Sequence, residues 1–261
     1  MRKSLGLKVL GPSPIGISKD GPAPEEMTEE DIQAVLEDHR IAARNAIAAG
    51  FDGVEIQGGG GYLPDQFLQD VSNTRTDKWG GSIENRSRFP LEVTKAVAEE
   101  VGYQKTAIRL SPWSDFISMG MEDPIPTFTY LVKELRALNI GFLDLIEARI
   151  RGNDDADCGG DNDVGFAVHA WGKDAPVMVG GGFNAESAQT AVDETYKDYQ
   201  LAIIFGRHYT SNPDLPFRVK EHVPFTKYDR PTFYTPKMSK GYNDWEFSEE
   251  FKATNGTATA A

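Results

Sequence analysis

At 261 residues the chain is long enough to bury one substantial core, in one domain or at most two. A hydrophobic content of 39% with mixed charges excludes a disordered polymer, and no apolar run approaches the ~20 residues that span a bilayer. The net charge of −13 argues against non-specific nucleic-acid binding, and the single cysteine, Cys158, rules out an internal disulfide framework and fits a cytoplasmic setting.

The first residues, MRKSLGLKVLGPSPIGI, are basic but interrupted by Pro12 and Pro14 and lack the apolar core of a signal peptide. A helix is predicted over Thr28–Ala49: Thr28 can cap it, Asp31 stands three residues on, and Ile32, Val35, Leu36, His39 and Ala43 follow helical spacing. The apolar run Gly53–Gln57 (GVEIQ) reads as a strand. It breaks into four glycines, Gly58 to Gly61, then Tyr62 and a long polar loop, so backbone there must approach something closely. Ser82 caps a second helix to Val101. Further strands are predicted at Thr106–Leu110 (TAIRL), Phe142–Glu147 (FLDLIE), Pro176–Gly180 (PVMVG) and Leu201–Gly206 (LAIIFG), with helices at Pro126–Leu138 and Glu186–Val192. From Lys227 the chain is aromatic and polar without clear periodicity, and its end, KATNGTATAA, is expected to be disordered.

Strand–helix alternation without sequence repeats predicts an α/β fold with a parallel sheet, of the TIM (β/α)8-barrel type. A complete barrel needs eight strands and five are counted, so residues 1–226 are expected to form a partial barrel, followed by an extension at 227–261. An open sheet leaves two edges that invite a homo-oligomer or a partner chain.

Two glycine turns, GGGF at Gly180–Phe183 and FGR at Phe205–Arg207, follow the last two strands, where (β/α) barrels hold phosphate. Exposed amides and one arginine would make an anion cradle; the alternative is two tight turns that need glycine. The spacing Gly180, Gly182, Ala185 also satisfies a dinucleotide fingerprint, but it lacks the first βαβ unit that would support it. Arg109 sits among apolar residues in TAIRL and requires a counter-charge, with Glu55 and Asp144 on neighbouring strands as candidates. The acidic run Asn153–Asp163 fails the calcium-loop register, because the twelfth position from Asp155 is Phe166, and no metal site is predicted. Carboxylates around Cys158 would keep its thiol unreactive. His39, His169 and His208 have no nucleophile partner at a telling position.

The stretch Gly50–Leu91, above all GYLPDQFL and SNTRTDKWGGSIENRSRF, closely resembles the old yellow enzyme family of FMN-dependent ene-reductases, and the similarity extends roughly from Leu5 to Phe247. The resemblance implies a chain N-terminally truncated relative to the family pattern, beginning after the third strand, so that its five β/α units are the last five of the barrel. It implies FMN as cofactor, NAD(P)H as reductant, and a conjugated enone or similar small molecule as substrate. Gly181, Gly182, Gly206 and Arg207 would hold the FMN phosphate, and Arg109 the flavin ring. Tyr62 stands at the family's proton-donor position, and Tyr234 matches a substrate-pocket tyrosine.

The family's carbonyl clamp, His-x-x-Asn or His-x-x-His, is replaced by Gln57 and Gly60; Gln57 keeps an amide donor and Gly60 keeps none. Losing one such donor costs roughly a hundredfold to a thousandfold in rate. Two other outcomes stay open. One is a non-redox isomerase, cyclase or ligand-binding barrel with an altered clamp. The other is a truncated inactive homologue that needs a partner chain. The polar loop, with Arg75, Asp77, Arg86 and Arg88, reads as charge-paired scaffold.

Overall fold

A computed structural model describes residues 8–18, 21–148 and 162–255. Cys158 and most of the acidic run lie outside them. In chain order the elements are β1 (Leu10–Gly11), β2 (Glu25–Glu26), α1 (Glu29–Ala48), β3 (Val54–Gln57), α2 (Leu63–Leu68), α3 (Ile83–Val101), β4 (Thr106–Leu110), α4 (Ile125–Ala137), β5 (Phe142–Ile146), α5 (Gly165–Trp171), β6 (Val177–Gly180), α6 (Ala185–Thr190), β7 (Leu201–Ile204), α7 (Leu215–Lys220) and α8 (Glu249–Asn255). They form two compact units, Met1–Gly182 with Asp198–Ala202, and Phe183–Lys197 with Ile203–Ala261.

The first unit is built on the predicted strands. Strands β3 to β7 form one sheet in chain order, with β3 and β7 at its edges, and β3 to β6 pair in parallel. This is the succession of five consecutive β/α units. Side chains alternate across the sheet. One face carries Ile56, Ile108, Leu110, Leu143, Leu145, Val177 and Val179, each no more than 6% exposed. The other carries Glu55 and Gln57, both exposed, Arg109, Phe142, Ile146 and Met178, which are half-buried, and Ala107 and Asp144, which are buried. The first face is sealed and the second is open toward edge strand β3.

The helix α1 starts at a complete capping box: Thr28 Oγ1 accepts from the Asp31 amide at 3.2 Å, and Asp31 Oδ2 accepts from the Thr28 amide at 2.9 Å. It lies against α3, with Arg44 Nε donating to Glu100 Oε1 at 2.6 Å. The helix α2 occupies part of the stretch expected to be loop. Pro64 opens it, and six residues are too few to hold a helix by themselves. Tertiary packing supplies the rest: Phe67 stacks on Phe89 of α3 with ring centroids 4.1 Å apart, and Trp79 meets both edge-on.

The polar loop after α2 is scaffold, as expected, but only partly through charge pairs. Arg75 binds Asp77 through two nitrogens and also donates from Nη1 to the carbonyls of Pro12 and Met27 at 3.1 and 2.8 Å. Arg86 and Arg88 depart from the charge-paired expectation. Arg86 is buried and donates to the carbonyls of Leu68 and Gly81 and to Thr127 Oγ1. Arg88 donates to the Lys78 carbonyl and Asn85 Oδ1. Carbonyls at the ends of α2 and of the loop leave acceptors that a guanidinium can fill better than a carboxylate could.

In the second unit α6 begins at Asn184, whose side chain accepts from the Ser187 amide at 2.8 Å, and it runs into a π-helical turn at Ala191–Thr195. Buried Asp214 binds Arg218 of α7 at 2.8 Å and the Ser248 hydroxyl at 2.6 Å. Ser248 precedes α8. That helix contains Lys252–Asn255, the start of the segment expected to be disordered.

Candidate functional site

The four-glycine turn meets its close neighbour at the end of β4. The Gly58 amide donates to the Arg109 carbonyl at 2.9 Å, and the Gly60 amide to Ser111 Oγ at 2.7 Å. A Cβ on Gly59 would stand 2.6 Å from Ser111 Oγ and 2.8 Å from its backbone nitrogen, so no side chain fits. Gly60 and Gly61 take φ of +62° and +74°. The turn is held from the far side by Asp65, which is wholly buried. Its Oδ2 accepts from the Gly61 amide and its Oδ1 from Gln69 Nε2, both at 2.8 Å. Burial raises the Asp65 carboxyl to about 6, against the lowering effect of those two bonds. Gln69 in turn accepts from the Gly120 amide at 2.7 Å. This network seats Tyr62, 53% exposed, at the start of α2.

Gln57 is the direct register partner of Arg109, and Arg109 of Asp144. The row therefore places an amide, a guanidinium and a carboxylate side by side on the open face. Arg109 Nε donates to Asp144 Oδ2 at 2.8 Å and lies 3.9 Å from Glu55 Oε1, so both predicted counter-charges are present. Its two terminal nitrogens have no hydrogen-bond partner among the described residues. A cavity of about 670 Å³ runs along β3, lined by Glu55, Gln57 and Tyr62 together with His39 and Ala43 of α1 and Val97 of α3.

The first unit thus brings Gln57, Tyr62 and Arg109 to one region, and it contains Gly181 and Gly182 directly after β6. Both glycines have positive φ, +123° and +69°, which explains why glycine stands there. Gly206, Arg207 and Tyr234 belong to the second unit. Gly206 opens the short turn Arg207–Thr210, and a Cβ there would meet nothing within 4 Å. Tyr234 is 76% exposed, with φ of +60° and its amide donating to the Tyr242 hydroxyl at 2.8 Å.

Sequence reasoning missed His39 as a cavity wall and Asp65 as the keeper of the glycine turn. Asp65 left no signal in the sequence, because the short helix that carries it has no periodicity of its own. Arg109, held through Nε by Asp144, keeps two terminal nitrogens uncommitted among the described residues, a donor pair that fits the acceptor edge of a flavin ring. Gln57 on the adjacent strand keeps its amide for a second ligand.

The family model for "NADH:flavin oxidoreductase / NADH oxidase family" matches residues 8–226. A protein of Penicillium roqueforti named chanoclavine-I aldehyde reductase is 50% identical over 247 residues, covering 95% of this chain and 66% of that protein. A protein of Epichloe festucae var. lolii named probable inactive reductase is 44% identical over 258 residues, covering 97% of this chain and 68% of that one. The crystal structure of Old Yellow Enzyme from Pichia sp. superposes with a TM-score of 0.82 at 34% identity, over 95% of this chain and 65% of that one. The chain spans about two thirds of the length of these relatives. On the family match, the relatives and the shared fold, this chain belongs to the FMN-dependent NADH:flavin oxidoreductase / NADH oxidase family, with the old yellow enzymes among its structural neighbours.

Proposed function

We propose that the chain binds FMN and reduces the C=C bond of an activated, α,β-unsaturated substrate at the expense of NAD(P)H. The observation that carries this reading is the row Gln57–Arg109 on the open sheet face, with Tyr62 beside it. Bound FMN would supply hydride delivery to the β-carbon of the alkene. Arg109 would donate to the pyrimidine edge of the flavin, and Gly181, Gly182, Gly206 and Arg207 would receive the phosphate. Gln57 would donate its amide N–H to the substrate carbonyl, Tyr62 would protonate the α-carbon, and Tyr234 would border the substrate. The Penicillium relative is named an aldehyde reductase, so among α,β-unsaturated compounds we would try those whose carbonyl is an aldehyde first.

Gly60 offers the carbonyl no second donor, so turnover should run on the order of a hundredfold below that of a site with two. Its backbone suits repair: φ of +62° is a region asparagine tolerates, and a Cβ there meets only the Tyr62 ring at 3.9 Å. The double substitution Gln57→His, Gly60→Asn should therefore fold and raise kcat for enone or enal reduction at least tenfold, on the order of one recovered donor. No gain in a variant that retains FMN would count against the reading.

A second reading concerns assembly. Edge strand β3 and the open face favour a partner chain or second copy covering them. Light scattering on the eluted protein tests it, and a stable monomer would contradict it. We place the active protein in the cytoplasm, since its single cysteine fits a reducing compartment.

A further inference from the structure

The open sheet face carries two carboxylates that the proposed reaction does not use. Asp144 is 1% exposed; its Oδ2 accepts from Arg109 Nε at 2.8 Å, while its Oδ1 is buried without a donor. Glu55 stands on the same face, its Oε1 3.9 Å from the same Arg109 nitrogen, and the two carboxyl groups lie within hydrogen-bonding reach of each other. Two carboxylates around one guanidinium leave a surplus negative charge. An unpaired buried carboxylate oxygen is costly, and a proton on the neighbouring carboxyl removes both problems at once. Burial raises Asp144, and burial with the Asp144 charge raises Glu55 to about 7.

Few other titratable groups face the cluster among the described residues. His39 of α1 and Tyr62 line the cavity that Glu55 lines; α3 contributes Val97, and β6 sets Met178 beside Asp144.

We propose that Asp144 and Glu55 share one proton, that Asp144 thereby acts as the positioning residue for Arg109, and that flavin binding is coupled to proton uptake at Glu55. This rests on the flavin reading above. With the proton in place the cluster is neutral, and Arg109 presents its terminal nitrogens to the electron-rich ring edge unopposed. When Glu55 releases the proton to solvent, the cluster carries one negative charge that repels the same edge. No bond in the ligand forms or breaks; one proton moves from water to the Glu55 carboxylate as the flavin enters.

The test is calorimetric titration of the purified full chain with riboflavin and with FMN between pH 6 and pH 8.5, in buffers of different ionisation heat. Riboflavin lacks the phosphate, so its pH dependence excludes phosphate ionisation. Riboflavin affinity should fall by about tenfold across the range, as it does when the flavin-bound protein holds the proton about ten times more tightly than the free protein, with net proton uptake near the middle of the range. Glu55→Gln should bind with the low-pH affinity throughout and take up no proton. His39→Gln should keep the wild-type slope. Asp144→Asn, shown folded by circular dichroism, should bind weakly at every pH.

Binding without proton uptake, or an unchanged slope in Glu55→Gln, would overturn the proposal and leave the flavin reading standing. Failure to bind either flavin at any pH would overturn both.

Discussion

Gly59 and Gly60 are adjacent and chemically identical, yet they answer to different constraints. Gly59 is glycine because Ser111 fills the space a Cβ would need, while Gly60 is glycine in open space with a left-handed backbone. Gly59→Ala should destabilise the chain by about 2 kcal/mol through overpacking, whereas Gly60→Asn should change stability by less than about 1 kcal/mol. Urea unfolding of the two variants checks the contrast, and equal losses would contradict it. Asp65 supplies a pH signature. Its folded carboxyl is raised to about 6 from an ordinary value of 3.8, so the native state binds the proton more tightly than the unfolded chain. The associated stability is full below pH 3.8 and is lost as pH rises through 6. Over that window the wild type should lose about 3 kcal/mol relative to Asp65→Asn, whose amide does not titrate. Parallel pH–stability curves for the two proteins would contradict the burial argument. Residue chemistry of this kind was partly legible: the glycine run announced a close approach, but only β4 in its register shows that Ser111 is what lies there.

Among the elements, strands were the easiest to read, because buried parallel strands are short apolar runs with abrupt ends. The helix α2 was not legible. Its six residues carry no periodicity of their own, and Phe67 is held by Phe89 and Trp79, which are distant in sequence. The same holds for the connection between elements made by Arg86. From α3 it reaches the last residue of α2, the loop at Gly81 and the first turn of α4. Sequence shows an arginine near the start of a predicted helix, and only the fold shows three acceptors around it. Arg86→Met, which keeps the buried stem and removes the donors, should cost about 3 kcal/mol, seen as a lower Tm with unchanged helix content. A loss under about 0.5 kcal/mol would show that water replaces the guanidinium.

At the scale of the whole molecule, the two faces of the sheet explain both the promise and the weakness of the site. One face is sealed by apolar side chains, which is why the sheet holds its register and keeps Gln57 opposite Arg109. The other presents a charged and half-buried row, as a ligand-binding interior does, but in a chain that spans two thirds of its relatives. The register of Gln57, Arg109 and Asp144 followed from strand assignments that sequence allowed. Gly206, Arg207 and Tyr234 belong to the other unit, and strand register says nothing of them. We propose the open row on β3 to β5 as the flavin site, and visible absorbance of the purified protein reports on it. After incubation with FMN and gel filtration, a flavin band should co-elute with the protein at about one equivalent and be lost in Arg109→Met. A colourless protein after FMN loading would contradict the claim.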